Sequence, residues 1–193
     1  MAAKNSAILP RMKKFPYKRI IVVGTTSSGK STLAEKLASI LGLDFVELDA
    51  LYWQPNWVGT PDDEFIPKVA AATSGERWVV AGTYSRTIPT TWKRAEVIIW
   101  LDYSLPLILW QLIKRTFRRN ITREVLWGTN TDRFWIHFKL WSDESLVRWL
   151  FKTYKRRKWQ YPHFLGLPEH KHLKLLRFTS PKETEAWLET LEA

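Results

Sequence analysis

The chain contains no cysteine. That absence excludes disulfide staples, thiolate nucleophiles and zinc sites built on cysteine, and it suits a reducing, cytoplasmic setting. Long apolar runs are missing as well. No stretch approaches the roughly 18 residues of a membrane span, so no membrane association is expected. Residues 1–18 lack the apolar segment of a signal peptide. They are basic, are broken by Pro10 and Pro16, and read as a flexible tail. Acidic residues are scarce in two places. Residues 1–19 carry six Lys and Arg and no acid, and residues 111–160 carry thirteen against four, a local balance of 13 − 4 = +9 within a chain total of +11. Such a concentration attracts polyanions, a class that includes ATP, phosphorylated acceptors and nucleic acids, and charge alone does not choose among them.

Several signatures are also lacking. Regulatory GTPases carry a D-x-x-G switch and an N-K-x-D base reader, transporter ATPases an L-S-G-G-Q-like run, and helicases several coupled motifs; none is found here. The four histidines show no ligand spacing.

What is present fits one domain. The 193 residues are 45% hydrophobic and 25% charged, a globular composition. Twelve tryptophans stand out; most are expected to pack the core, with one or two left for stacking on a base. Short β-branched runs alternate with helical spacing. Strands are expected at 19–23, 45–48, 77–81, 96–101 and 172–178. Between them lie helices over 30–41 (stopped by Gly42), about 60–73, 104–118, one opened by Ser142-Asp143-Glu144 with Leu146, Trp149, Leu150 and Tyr154 on its apolar face, and a last one from Ser180 to about Leu191. Thr60 and Ser180 read as N-caps, each followed by Pro and acids. This alternation predicts an α/β fold with a parallel sheet.

One motif is specific. Gly24-Thr25-Thr26-Ser27-Ser28-Gly29-Lys30-Ser31 matches G-x-x-x-x-G-K-[ST], with a strand before it and a helix after it. The glycines let successive N–H groups turn toward phosphate oxygens, and the helix N-terminus adds partial positive charge. Lys30 is expected to offset β- and γ-phosphate charge, the Ser31 hydroxyl to ligate magnesium, and Thr32 to reach the α-phosphate. The cofactors implied are ATP and Mg²⁺.

A compact chain with an N-terminal P-loop and an arginine-rich segment before its last strand resembles the adenylate kinase and shikimate kinase-like P-loop proteins. It is especially similar to bacterial ones called DNA topology modulation proteins or adenylate kinase-related. The likeness spans about residues 19–191. It is carried by Gly24–Ser31, Glu47-Leu-Asp-Ala-Leu-Tyr-Trp53, Trp57, Gly82-Thr-Tyr-Ser-Arg86, Glu124-Val-Leu-Trp-Gly-Thr-Asn130, and Leu146–Tyr161 with its Lys155-Arg-Arg-Lys158.

The resemblance implies a three-layer P-loop NTPase fold, with a parallel five-stranded sheet of order 2-3-1-4-5 and a helical, arginine-rich lid at about 114–160 in a domain running 19–193. It implies that Asp49 assists the metal or accepts the proton of an acceptor hydroxyl; the rival reading is a cap or turn residue. It makes Arg86 an anion clamp for the acceptor, and places Arg115, Arg118, Arg119 and Arg123 in the lid, with Arg115 and Arg119 as candidates for the transferring phosphates. One departure is plain: such kinases usually carry Asp before Gly82, where this chain has Ala81. Asp102 is an alternative acid at a strand end, or else a helix cap. Lys155–Lys158 reads as the basic end of a helix rather than a nucleic-acid contact.

The expected activity is transfer of the γ-phosphate of Mg-ATP to a small acceptor, with a nucleoside monophosphate first in line. An ATP-binding, nucleic-acid-associated protein is the rival from another class, and a catalytically silent nucleotide-binding regulator a third.

Overall fold

The computed structural model describes residues 15–127, 130–131 and 146–192. Its centre is β1 (Arg19–Gly24). Ile20, Ile21, Val22 and Val23 are wholly buried, as a strand covered on both faces must be. Side chains alternate along a strand, so Ile20 and Val22 join one apolar cluster while Ile21 and Val23 join another on the opposite face.

Around β1 stand β2 (Asp44–Glu47), β5 (Trp78–Ala81), β6 (Val97–Leu101) and β9 (Lys174–Phe178), all parallel, in the order β2-β5-β1-β6-β9. Counted among these five alone, the order is second, third, first, fourth, fifth. Two short antiparallel hairpins, which the alternation of long elements did not reveal, account for the remaining numbers: β3 (Trp53–Gln54) with β4 (Val58–Gly59), and β7 (Val125–Leu126) with β8 (Asn130–Thr131).

Helices cover both faces. One cluster takes Leu33 and Leu37 from α1 (Lys30–Leu41), Ile108 and Leu112 from α5 (Leu105–Thr122), Leu150 from α6 (Leu146–Gly166) and Trp187 from α7 (Pro181–Glu192). The other takes Leu48 from α2 (Leu48–Tyr52), Phe65 and Val69 from α3 (Asp62–Ala72), Ile88 from α4 (Ile88–Thr91), and Trp78, Trp92, Trp100 and Tyr161. Trp78 and Trp92 are fully buried; truncating either to Ala would cost about 3–5 kcal/mol.

Several expectations change at element ends. Thr60 does not cap α3: its hydroxyl turns back to the carbonyls of Leu51 and Tyr52, and α3 starts at Asp62 with Pro61 before it. Asp49 is not at a strand end but in the first turn of α2. Helix α5 runs to Thr122, four residues beyond the expected 118. Lys155–Lys158 lies in the middle of α6, which continues through Pro162 to Gly166, so the helix-end account of that basic run fails. Trp149, expected on the apolar face of α6, is exposed, while Leu150 is buried. Ser180 does cap α7: its hydroxyl accepts the N–H of Glu183, whose carboxylate in turn accepts the Thr179 N–H and hydroxyl.

The Ser142-Asp143-Glu144 helix start, the middle of the expected lid and residues 1–14 of the expected tail lie outside the described residues. Phe15 and Tyr17 pack against the core, Phe15 edge-on to Trp187.

Candidate functional site

In the parallel sheet, register sets the site. Gly24 pairs with Leu101 and Glu47 with Ala81, so these residues finish side by side at the carboxyl edge, where open α/β sheets hold ligands. A Cβ on Gly24 would stand 2.6 Å from Ser28 Oγ and 2.8 Å from the Leu101 carbonyl oxygen; only glycine lets the loop turn that close to β6. Gly29, at φ 89°, precedes α1, whose start has no side-chain cap and no acid. Its first N–H groups and partial positive charge are therefore left for an anion. The hydroxyls of Ser27, Ser28 and, past the end of β5, Thr83 are buried with no hydrogen-bond partner. Phosphate oxygens would satisfy such groups.

Lys30 folds back across this loop and donates to the Thr25 carbonyl at 2.9 Å. The residue is half-buried as a whole, but its ammonium is enclosed. Burial, and next the charge of Arg157, hold its pKa down at about 7; Arg115 acts in the same direction, whereas Asp49 and Glu47 oppose it. Charged side chains from four other segments thus act on this one ammonium.

The carboxylate beside Ser31 is that of Glu47. Ser31 Oγ donates to Glu47 Oε1 at 2.6 Å, and the Trp127 indole N–H donates to Glu47 Oε2 at 3.1 Å. Asp49, expected with Ser31 at the metal, is instead held by the Tyr84 hydroxyl at 2.6 Å. The reason is positional: Glu47 ends β2, while Asp49 lies two residues on, inside α2. Tyr84 stays protonated, since burial and the neighbouring Asp49 charge raise its pKa far above the ordinary value. Ala81 has Glu47 as its register partner, so the end of β5 has a carboxylate beside it on the adjacent strand. Sequence reasoning passed over Glu47, because the expected strand 45–48 ran one residue past it and hid its place at the end of β2.

The arginines separate. Arg157, from the middle of α6, donates to the Gly24 carbonyl at 3.1 Å, joining the P-loop to a residue 133 positions away that was read only as part of a basic helix end. Arg115 faces Lys30 closely enough to depress its pKa. Arg118 and Arg119 both pair with Glu124, each at 3.4 Å; that acid resolves the like-charge crowding of α5. Arg123 ends α5 in a left-handed conformation. Arg86 pairs with Asp62 at 2.6 Å, and its guanidinium lies 4.8 Å from the centre of the Tyr52 ring, 5.4 Å from Tyr84 and 5.5 Å from Phe65.

Aromatic rings complete the rim. Tyr52 touches Tyr84 and Trp53, Trp53 meets Trp57 edge-on at 5.5 Å, and Trp57 meets Trp127 edge-on at 5.6 Å. Asn130 fixes this arrangement from the second hairpin: its side chain accepts the Trp57 N–H at 2.9 Å and donates to the Gln54 carbonyl at 3.0 Å. An unbroken run of contacts results, from Ser31 through Glu47, Trp127, Trp57, Trp53, Tyr52 and Tyr84 to Asp49.

Asp102 does not join it. Its buried carboxylate binds Arg177, at 3.0 Å from Nε, and Lys158 at 3.4 Å, tying β6, β9 and α6 together. His170, buried, bonds through Nδ1 to the Phe164 carbonyl oxygen. A hollow of about 550 Å³ lies at the opposite edge of the sheet, lined by Arg19, Lys93, Arg94, Glu96 and His172 among others; Glu96 is already engaged there by Arg19 and two backbone N–H groups.

No family model matches the chain. A shikimate kinase of Paramagnetospirillum magneticum is 29% identical over 135 residues, covering 61% of this chain and 68% of the relative. Two solved structures share the fold: a gluconokinase from Sinorhizobium meliloti 1021 (TM-score 0.52, 16% identity, 93% of each chain) and a shikimate kinase from Acinetobacter baumannii in complex with shikimate (TM-score 0.52, 18% identity, 91% of each chain). The likeness to DNA topology modulation proteins has no counterpart among these relatives.

Proposed function

We propose that the chain, which resembles adenylate kinase- and shikimate kinase-like P-loop proteins, transfers the γ-phosphate of Mg-ATP to a hydroxyl of a small acceptor seated between Asp49 and the aromatic rim. The observation that carries this reading is the meeting at the P-loop of Lys30 on the Thr25 carbonyl, Arg157 on the Gly24 carbonyl and Glu47 on the Ser31 hydroxyl. The loop's N–H groups and Lys30 hold the phosphates, with Thr25, Thr26 and Thr32 at the margins of the same cradle. Arg157 and Arg115 stabilise the charge that spreads over the transferring oxygens. Arg119, engaged by Glu124, supports the lid helix.

The site suits magnesium. A serine hydroxyl and a carboxylate within 2.6 Å are hard oxygen donors, and among the described residues no cluster of three acids or histidines stands ready as an all-protein cage. That matches an ion which takes one or two protein oxygens alongside phosphate. Ser31 and Glu47 would hold it, with Asp49 nearby, and its charge would offset that of the β- and γ-phosphates.

In the transfer, the acceptor oxygen forms a bond to the γ-phosphorus while the bond to the β,γ-bridging oxygen breaks. The electron pair of that bond leaves with ADP. The hydroxyl proton passes to the Asp49 carboxylate, whose other oxygen is occupied by Tyr84. Among acceptors, a nucleoside monophosphate needs Arg86 for its anion, and the names of the relatives suggest small hydroxylated metabolites such as shikimate or gluconate. The nucleic-acid reading is less favoured: in the Lys155–Lys158 run, Arg157 and Lys158 are directed inward to Gly24 and Asp102. Acceptor-dependent ADP release, measured against Lys30→Ala, tests the proposal. No acceptor exceeding that control would end it.

A further inference from the structure

Trp127 directly follows β7, and its backbone is left-handed at φ 47°, a conformation that bulky residues rarely adopt. Such a residue persists where its surroundings hold it. Two contacts do so here. The indole N–H donates to Glu47 Oε2 at 3.1 Å, and the ring meets Trp57 edge-on at 5.6 Å. Trp57 is left-handed as well, at φ 60°, and Asn130 takes its N–H at 2.9 Å while donating to the Gln54 carbonyl at 3.0 Å. Asn130 is the register partner of Leu126 across the β7–β8 hairpin, and it is 1% exposed. Its amide therefore spends both its donor and its acceptor on fixing the hairpin of Trp127 against the turn of the β3–β4 hairpin.

Glu47 is where this support ends. A glutamate carboxylate turns easily about its last torsion, and a single contact would leave that turn open. Here each oxygen has its own partner: Oε1 accepts from the Ser31 hydroxyl at 2.6 Å and Oε2 from the indole. An indole N–H is a donor only. It brings no charge and no ligating atom, so it orients the carboxylate without competing for a cation. Outer partners of this kind hold ligating carboxylates in place. Resting on the magnesium reading above, we infer that Trp127 is a positioning residue for the metal-bearing carboxylate. It holds Glu47 Oε2 so that Oε1 stays toward Ser31, and Asn130 acts through Trp127 by fixing its hairpin. Neither residue touches a reacting atom.

The test measures the ADP affinity of the full chain by calorimetry, once with magnesium and once in EDTA, and takes the ratio as the gain from the metal. Wild type is expected to gain about tenfold or more. Trp127→Phe keeps a ring beside Trp57 and removes the N–H; it should lose about tenfold of that gain, the lower end for removing an outer partner of a metal ligand. Its affinity in EDTA should stay within about twofold of wild type. Asn130→Ala should lose part of the gain, and the double variant should lose no more than Trp127→Phe alone, since the two act in series. Trp127→Phe decides the matter by itself should Asn130→Ala not fold. The inference is overturned by a wild-type chain that gains nothing from magnesium, by an undiminished gain in Trp127→Phe, or by equal losses with and without the metal, the mark of a ring that only shapes the site. Additive losses in the double variant overturn the role given to Asn130. Failure of the kinase reading is separate: the metal gains would follow this pattern, yet no acceptor would raise ADP release above the Lys30→Ala level.

Discussion

Ser31 Oγ and Glu47 Oε1 lie 2.6 Å apart, joining the end of the phosphate-binding loop to the end of edge strand β2, which stands beyond β5 from β1. Sixteen residues separate them in the chain, and the parallel sheet brings them level. In the proposed reading this pair would present two oxygens to magnesium, with Asp49 nearby.

Glu47→Gln keeps the shape and removes the charge. Turnover should fall by about 10- to 100-fold, with the magnesium concentration for half-maximal rate shifted upward. Asp49→Asn should act differently, lowering the maximal rate with little change in magnesium dependence. Magnesium titrations of the initial rate separate the two, and matching profiles would contradict this division of roles.

Lys30 should couple nucleotide binding to a proton. In the ligand-free protein its pKa sits at about 7, below its ordinary value, through burial and the charge of Arg157. Phosphates favour the charged form and raise it again. Between those limits the bound state holds a proton that the free state lacks, so ATP binding at pH 8 should take up about one proton and at pH 6 almost none. Calorimetry in buffers of different ionisation enthalpy measures this directly. The same lowered pKa makes the ligand-free fold gain stability as pH rises from about 7 toward the ordinary lysine range, because the unfolded chain then binds the extra proton.

Arg157→Ala should lower the rate by about 10²–10³, the scale for losing one charge-stabilising donor, and Arg157→Lys should recover little of it, since the planar fork is lost. Removing Arg157 also removes the second cause of the Lys30 shift, so proton uptake at pH 8 should shrink in this variant. A purely structural arginine would leave that uptake unchanged.

How far the chain could be read from its sequence differs by feature. The P-loop was legible because its residues encode a local backbone path: Gly29 is required by its left-handed torsion and Gly24 by its approach to Ser28, with the contact to Leu101 added only by the fold. The central strand was legible from Ile20–Val23, apolar on both faces. The hairpin at Trp53–Gly59 was not, since its turn uses left-handed Asn56 and Trp57, and an aromatic residue gives no warning of that conformation. Arg157 was hidden for another reason. Its meaning depends on a contact across 133 positions, whereas a run of four cations reads locally as a solvated helix segment. Thr60 misled because a hydroxyl before Pro and acids fits a cap, and only the folded chain shows it committed to Leu51 and Tyr52.

Asp102 offers a contrast between structural and chemical acids. Asp102→Ala should cost about 1–2 kcal/mol in urea unfolding, because its partners Arg177 and Lys158 are partly exposed and can turn to water. ATP affinity should stay within about twofold, a shift smaller than one ordinary hydrogen bond's worth. Loss of nucleotide binding without loss of stability would return Asp102 to the reactive site.

The most direct test follows the γ-phosphorus itself by ³¹P NMR, with the purified protein, magnesium, ATP and each candidate acceptor in turn. The γ resonance should give way to a phosphomonoester, with ADP formed in equal amount, and Lys30→Ala should produce neither. Release of inorganic phosphate alone, or an ATP spectrum that never changes, would contradict the assignment of a phosphotransferase.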